Sequence, residues 1–340
     1  MVLVIARTTV AAFLATVSLA RADVALFLEE PHGTFGDMNP TGHAAIYLSN
    51  ICAASLTSLR ACDPGEPGAV ISRYHRIGGY DWLTVPLIPY LYAVDSAAEV
   101  PRAVSITDVD SLRDRYRRAN LESVAPDLPD GSTPKGDWIQ LVGASYDRTI
   151  FSFELKTTPE QDARFIQDFN ARRNTTDFHL LFHNCADFAR GAIDFYYPKA
   201  VHRSMVADLG IMTPKQAARS LLQYSKKHPE LQLTTVVVPQ VPGLPHSAAV
   251  RGVVESVLTS KKYIVPLAPL AVLYPYFGGS LAFAWVGDGH FNPRHLAAAE
   301  DPVTEPVIIA QELESGRSAQ PPDVMRTSLK SVIAAPATLE

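Results

Sequence analysis

Read for its hydrophobic and polar pattern, the chain sets out mostly strands first and mostly helices later. Val24 to Leu28 is an unbroken apolar run of strand length. A loop rich in Gly, Pro, Asn and Asp follows, from Glu29 to Gly42, and delivers the chain to His43. From there the period is two. His43, Ala45 and Tyr47 share one face of a strand, and Ala44, Ile46 and Leu48 share the other. Ala69 to Tyr74 reads as a third strand. Tyr80 to Val94 is aromatic and apolar but broken by Pro86 and Pro89, so it reads as a packed irregular segment or short helix lining a cleft. Asp108 to Asn120 is a polar helix with Val109, Leu112 and Tyr116 inward. Residues 122–137 are a Pro/Gly loop, and Thr149 to Leu155 alternates as a strand. Thr158-Pro159-Glu160-Gln161 is a strong helix start, with a capping Thr, Pro at the first position and Gln three after the cap. That helix buries Phe165, Ile166 and Phe169 and ends near Arg172-Arg173.

The segment from Asp177 to Tyr197 changes period in its middle. Phe178 to Phe182 has strand character, the chain turns at His183-Asn184, and Phe188, Ala189, Ala192, Ile193 and Tyr196 then recur at spacings of three and four. Asn184 is a good N-cap, which places Cys185 in the first helical turn, where the macrodipole favours a thiolate. Thr213-Pro214 starts another helix, to about Tyr224, and Leu231 to Val238 is a β-branched strand bounded by Pro239. His246 to Leu258 has helical spacing. Tyr263 to Val286 carries no charge and is the one stretch of the mature chain with the length of a membrane span. Pro266, Pro269, Pro275, Gly278 and Gly279 interrupt it, and Lys261-Lys262 would lie on the wrong side of a span entered from outside. It therefore reads as buried core or as a hairpin apposed to a membrane. Residues 300–340 read as a weakly ordered tail.

The first residues have the form of an export signal. Arg7 is the basic region, Thr8 to Ala20 the apolar core, and Ala20-Arg21-Ala22 a small-x-small cleavage site. Cleavage after Ala22 removes two arginines and no acids, so the mature chain is more acidic than the formal −5 of the whole. With no Lys/Arg-rich block, nucleic acid is not an expected partner. Three cysteines are an odd number for an exported protein. Cys52 and Cys62 flank a short segment ending in DPGEPG and are natural disulfide partners, which leaves Cys185 as the free thiol. The pairings of either with Cys185 remain open to the sequence.

A thiol nucleophile needs a base within hydrogen-bond reach and a third group to orient that base. His43, opening a strand after a flexible loop, is placed as a side chain pointing into a cleft would be. His179, His183 and Cys185 alternate and could be read as metal ligands. Their H-x3-H-x-C spacing matches no established zinc pattern, and no metal or cofactor is expected. Gly42-His43-Ala44-Ala45-Ile46-Tyr47-Leu48, followed far downstream by Asn184-Cys185-Ala186-Asp187-Phe188, resembles the circularly permuted branch of the NlpC-type cysteine hydrolases. That branch includes the lecithin:retinol acyltransferase-like proteins. In that order the His strand comes first and the Asn-Cys helix later. The resemblance covers about residues 24–225.

The resemblance implies Cys185 as nucleophile and His43 as base. Its third polar position lies on the strand after the His strand, where Ala69-Val70-Ile71-Ser72 places Ser72. His75, three residues on, is the alternative, although alternation puts it on the opposite face. The Cys185 backbone N–H is a natural oxyanion donor. The Asn184 side chain is a second candidate donor, and Tyr47 a hydrogen-bonding group on the His43 face.

The expectation is thus an exported, periplasmic or secreted α+β protein. Residues 1–22 are the signal, 23–240 a permuted papain-like core with a small antiparallel sheet on the Cys helix, 241–299 a helical and apolar extension, and 300–340 the tail. Its expected activity is hydrolysis or acyl transfer at an amide or ester through a Cys-His acyl-enzyme. The expected substrate is a peptide or lipid-linked acyl group of the cell envelope, with membrane apposition through 263–286. The competing expectation is a non-catalytic envelope-binding protein on the same scaffold.

Overall fold

A computed structural model describes residues 22–33, 40–175, 178–259 and, with short interruptions, 264–297. Residues 1–21 of the proposed leader, and the tail, lie outside the described residues. A six-stranded antiparallel sheet organises the rest. Its strands are β1 (Ala22–Glu29), β2 (His43–Leu48), β5 (Ala69–Arg73), β6 (Trp82–Pro86), β7 (Ile150–Thr157) and β8 (Thr234–Val238), in the order β6-β5-β2-β1-β7-β8. Strands β3 (Ile51–Ser55) and β4 (Ser58–Ala61) form a separate hairpin.

The period-two pattern of β1 and β2 divides the core between the two faces of the sheet. Ala25, Phe27, Ala45, Val70 and Val85 face one side, together with buried α1 (Leu87–Tyr92) and α2 (Ile106–Tyr116). Val24, Leu26, Leu28, Ala44, Ile46, Leu48, Phe151, Phe153 and Leu155 face the other. There they meet α4 (Pro159–Ala171), α5 (Cys185–Tyr196) and α6 (Pro214–Lys227). A sheet covered on both faces explains why β1 reads as a continuous apolar run rather than an alternating one. The short α3 (Ala144–Asp147) leads into β7.

Exposed strand edges are closed by side chains. Asn170, near the end of α4, accepts from the Leu59 N–H at 2.9 Å and donates to the Leu59 carbonyl at 2.8 Å. Asn174 does the same for Trp82 on edge strand β6. Each substitutes for a missing strand at that one residue.

Two sequence expectations change. The segment Phe178 to Phe182 is not a strand: His179 and His183 bridge each other across a tight turn, with Leu180, Leu181 and Phe182 exposed. An apolar run alone does not supply a partner strand, and no strand lies beside this one to pair with among the described residues. The helix expected over 246–258 is confined to α7 (Val253–Thr259). Residues 246–252 instead run extended against the loop after β1, with the Ala248 N–H on the Pro31 carbonyl and the Arg251 N–H on the Pro40 carbonyl, both at 2.9 Å. The apolar stretch 263–286 includes part of α8 (Pro275–Asp288), and no described helix is long and apolar enough to cross a membrane.

The last described helix, α9 (Arg294–Ala297), is held by Arg294, whose guanidinium grips both oxygens of buried Glu30. Val241 lies in one core and Val250 in the other, so the segment after β8 packs into the body of the fold.

Cys52 and Cys62 are disulfide-bonded across the β3–β4 hairpin, and Cys185 is free. Removing the bond in a Cys52→Ala/Cys62→Ala variant is expected to lower the urea-unfolding free energy by about 2–3 kcal/mol, the chain-entropy value for a loop of this length.

Candidate active site

The site begins with how α5 starts. Asn184 is extended, and its side-chain oxygen accepts the N–H groups of Ala186 and Asp187. Its amide donates to the carbonyls of Leu180 and Met212, both at 2.9 Å. Every polar valence of this amide is thus used in ending one turn and starting one helix. Asp187 completes the capping box and takes Arg203, which also reaches the carbonyls of Phe182 and Gly210. The two loops before and after α5 are stitched together around Cys185, the first helical residue.

The sheet opens at the same height. The β2–β5 ladder runs Leu48↔Ala69, Tyr47↔Val70, Ile46↔Ile71 and stops. Two residues earlier on β2, Ala44 presents its N–H and C=O on the same side that Ile46 does. Its carbonyl accepts from the Ser72 hydroxyl at 2.8 Å, and its N–H is turned towards the Cys185 sulfur. The thiol therefore stands at the His43–Ala44 peptide, in a notch where β2 and β5 have parted.

His43 opens β2 on the other side of that peptide. Its Nε2 lies 3.0 Å from Ser72 Oγ. The single Ser72 proton is directed at the Ala44 carbonyl, so Ser72 accepts from His43. The ring is then the Nε2–H tautomer, with the lone pair on Nδ1. The imidazole stacks on Tyr74, with centroids 5.3 Å apart and planes 24° from parallel. Gly42 precedes it at φ +73°, and a Cβ there would stand 2.1 Å from the Glu29 carbonyl, so only glycine lets the chain turn into β2 at this point.

Beneath the imidazole lies a buried polar network that pattern reading did not find. Glu29 is the cross-strand partner of His43. Its carboxylate accepts from the Tyr90 hydroxyl and, at 3.0 Å, from Arg148. Arg148 also donates to His32 Nε2 at 2.6 Å, and Asp147, 3.8 Å from His32, is gripped by Arg113. Glu29 ends an apolar strand and Tyr90 is hidden in an apolar run. Only the acid pair Glu29-Glu30 at the end of β1 hinted at buried charge.

The remaining candidates fall elsewhere. The Tyr47 hydroxyl donates to the Pro67 carbonyl at 2.8 Å and its ring stacks on Phe27, so it is a wall of the core. His75 lies past the end of β5, its Nδ1 3.3 Å from Asp137 and its ring edge-on to Phe178.

Burial dominates the electrostatics. It pushes the Cys185 thiol up to about 11, against the pull of the N–H groups of Ala44, Ala186 and Cys185 itself, with the charge of Glu29 adding to the rise. The helix start was expected to favour a thiolate, and the loss of water outweighs it. The same cause, reinforced by Arg148, pushes His43 down to about 3. The resting pair is a neutral thiol and a neutral imidazole. Burial also raises the carboxyl of Glu29, opposed by Arg148 and Tyr90.

Compared with protein-family models, curated proteins and solved structures, the chain matches none.

Two outcomes follow from these shifts. Alkylation of Cys185 by iodoacetamide is expected to be slow at neutral pH and to rise as pH approaches about 11; a plateau already reached near neutral pH would contradict the neutral thiol. An imidazole depressed on folding binds its proton more readily when unfolded, so it stabilises the fold above its ordinary value of 6.5 and that stability is lost as pH falls towards about 3. The urea midpoint of a His43→Gln variant is therefore expected to vary less over that window than the parent's.

Proposed function

We propose that this chain is an exported thiol hydrolase or acyltransferase in which Cys185 attacks an amide or ester carbonyl and His43 carries the proton. The observation that carries the reading is the notch. The only free thiol among the described residues stands at the peptide joining His43 to Ala44, and Ser72 leaves the Nδ1 lone pair of that histidine available. The residue order matches the permuted NlpC-type resemblance, with His43, Ser72 and Cys185 in its three positions.

A neutral pair sets how the step proceeds. The thiol proton passes to His43 as the S–C bond forms, rather than beforehand. The tetrahedral oxyanion forms at the start of α5, where the Cys185 backbone N–H is a donor. His43 then returns the proton to the leaving group, and water or an acceptor releases the acyl group. The Asn184 amide, fully committed to the two loops, takes no part as a donor.

The surroundings support an apolar or lipid-linked acyl substrate of the envelope. The stitched loops expose Leu180, Leu181 and Phe182 on one side and Met205, Val206 and Leu209 on the other. Tyr274, Tyr276 and Phe283 are exposed on the uncharged stretch read as membrane-apposed. The disulfide between Cys52 and Cys62 supports an oxidising compartment.

One observation favours the competing reading of a non-catalytic binding protein: burial keeps the resting thiol protonated. The two separate on incubation with p-nitrophenyl butyrate followed by intact-protein mass measurement. The enzyme forms a butyryl adduct that is absent in Cys185→Ala and at least about 100-fold slower in His43→Ala, the usual worth of a general base. A folded protein that acquires no adduct is the binding protein.

A further inference from the structure

The reading above gives roles to a nucleophile, a base and the hydroxyl that orients the base. It leaves three buried polar side chains unused beside them. Glu29 is 1 % exposed, Tyr74 3 % and Tyr90 0 %. Polar groups buried in this way cost free energy unless they are hydrogen-bonded. Two of the links are hydrogen bonds in series, Arg148 to Glu29 and the Tyr90 hydroxyl to Glu29, and the Tyr74 hydroxyl stands beside that of Tyr90.

Both ends of the series meet the same residue. At one end the Tyr74 ring lies against the His43 imidazole. At the other, Glu29 is the partner of His43 across the β1–β2 ladder. The imidazole thus rests on Tyr74 at one face, and its backbone is paired with that of Glu29 across the ladder. Apolar side chains of similar volume would fill the same space without the burial cost of a charged pair. A network whose only work was packing would have no need to end on this ring.

We infer that Glu29, Tyr90 and Tyr74 form a positioning chain for the base, with Tyr74 as the wall on which His43 rests and the two hydroxyls and the carboxylate fixing that wall. Ser72 sets the direction of the imidazole within its plane through Nε2, and Tyr74 sets the plane. Neither can replace the other, because a single hydrogen bond to Nε2 leaves the ring free to turn about it. With both in place the Nδ1 lone pair is held for the proton of Cys185. This rests on the reading of Cys185 and His43 as nucleophile and base, and extends it to residues that do not touch the reacting atoms.

The burst of p-nitrophenolate from p-nitrophenyl butyrate, measured on the full chain, reports the acylation rate constant and the half-saturating ester concentration separately. Tyr74→Leu is expected to slow acylation about 100-fold while half-saturation moves by less than about threefold, the signature of a misplaced base rather than a lost binding contact. Tyr74→Phe keeps the wall and is expected to recover to within about tenfold of the parent rate. Tyr90→Phe cuts the same series, so the Tyr74→Phe/Tyr90→Phe double variant is expected to be no slower than the slower single variant.

An unimpaired rate in Tyr74→Leu, a loss confined to half-saturation, or losses that multiply in the double variant would overturn the chain. Where Tyr74→Leu does not unfold cooperatively in urea, the double-variant comparison decides alone. A parent protein without any burst removes the catalytic reading and the chain with it. A burst that Cys185→Ala abolishes and Tyr74→Leu leaves intact removes the positioning chain only.

Discussion

The backbone of Ala44 is the constraint on which the site depends. A residue in the middle of an antiparallel sheet gives its N–H and C=O to the next strand. Ala44 cannot, because β5 has parted from β2 beyond the Ile46↔Ile71 pair. An unpaired peptide buried between two cores is costly. Here the Ser72 hydroxyl takes the carbonyl, and the N–H is turned towards the Cys185 sulfur. One open pair in the ladder thus brings together groups from three elements: the strand that carries His43, the strand that carries Ser72 and the helix that carries Cys185. It also resolves a geometric difficulty. By alternation His43 faces the α1 side of the sheet, whereas α5 packs on the opposite side. Only a gap in the sheet lets a thiol on one face reach the peptide of a histidine on the other.

Packing and electrostatics oppose each other at this gap. The N-terminus of α5 and three N–H groups draw the sulfur towards the thiolate, and the packing around the notch leaves it only half-exposed to water. Burial wins for the thiol and for the imidazole, and the pair stays neutral. The charges in the neighbourhood are instead carried by Glu29 with Arg148 and by Asp147 with Arg113, tied into α3, β7 and the end of β1. Removing one partner of such a buried pair typically costs about 3–5 kcal/mol, so these ions hold the floor of the site rigid. Glu30, next to Glu29, is gripped by Arg294 and Ser247. Through that contact the C-terminal segment braces the turn leading from β1 towards His43.

Much of this was legible before any coordinates. The capping box at Thr158 and the N-cap at Asn184 depend on side chains a few residues apart, and both formed. The alternation over His43 to Leu48 placed each side chain on its correct face. The Cys52–Cys62 bond is the pairing that spacing had favoured. The exceptions share a cause. Phe178 to Phe182 has the composition of a strand but no neighbour to pair with, and 246–252 has helical spacing but gives its N–H groups to the Pro31 and Pro40 carbonyls. In both places a distant part of the chain decided the local conformation.

The sequence by itself determined most of the elements, their buried faces, the disulfide and the identity of the candidate thiol, because those follow from side chains a few residues apart. It also ordered His43, Ser72 and Cys185 along the chain. What only the tertiary structure decided is the protonation of the pair and the membership of its surroundings. Glu29, Tyr74, Tyr90 and Arg148 come from four separate segments, and nothing local marks them as neighbours. The charge state of Cys185 likewise depends on how completely water is excluded. That is a property of every element packed around the notch, and a long-range one, so no spacing along the chain encodes it.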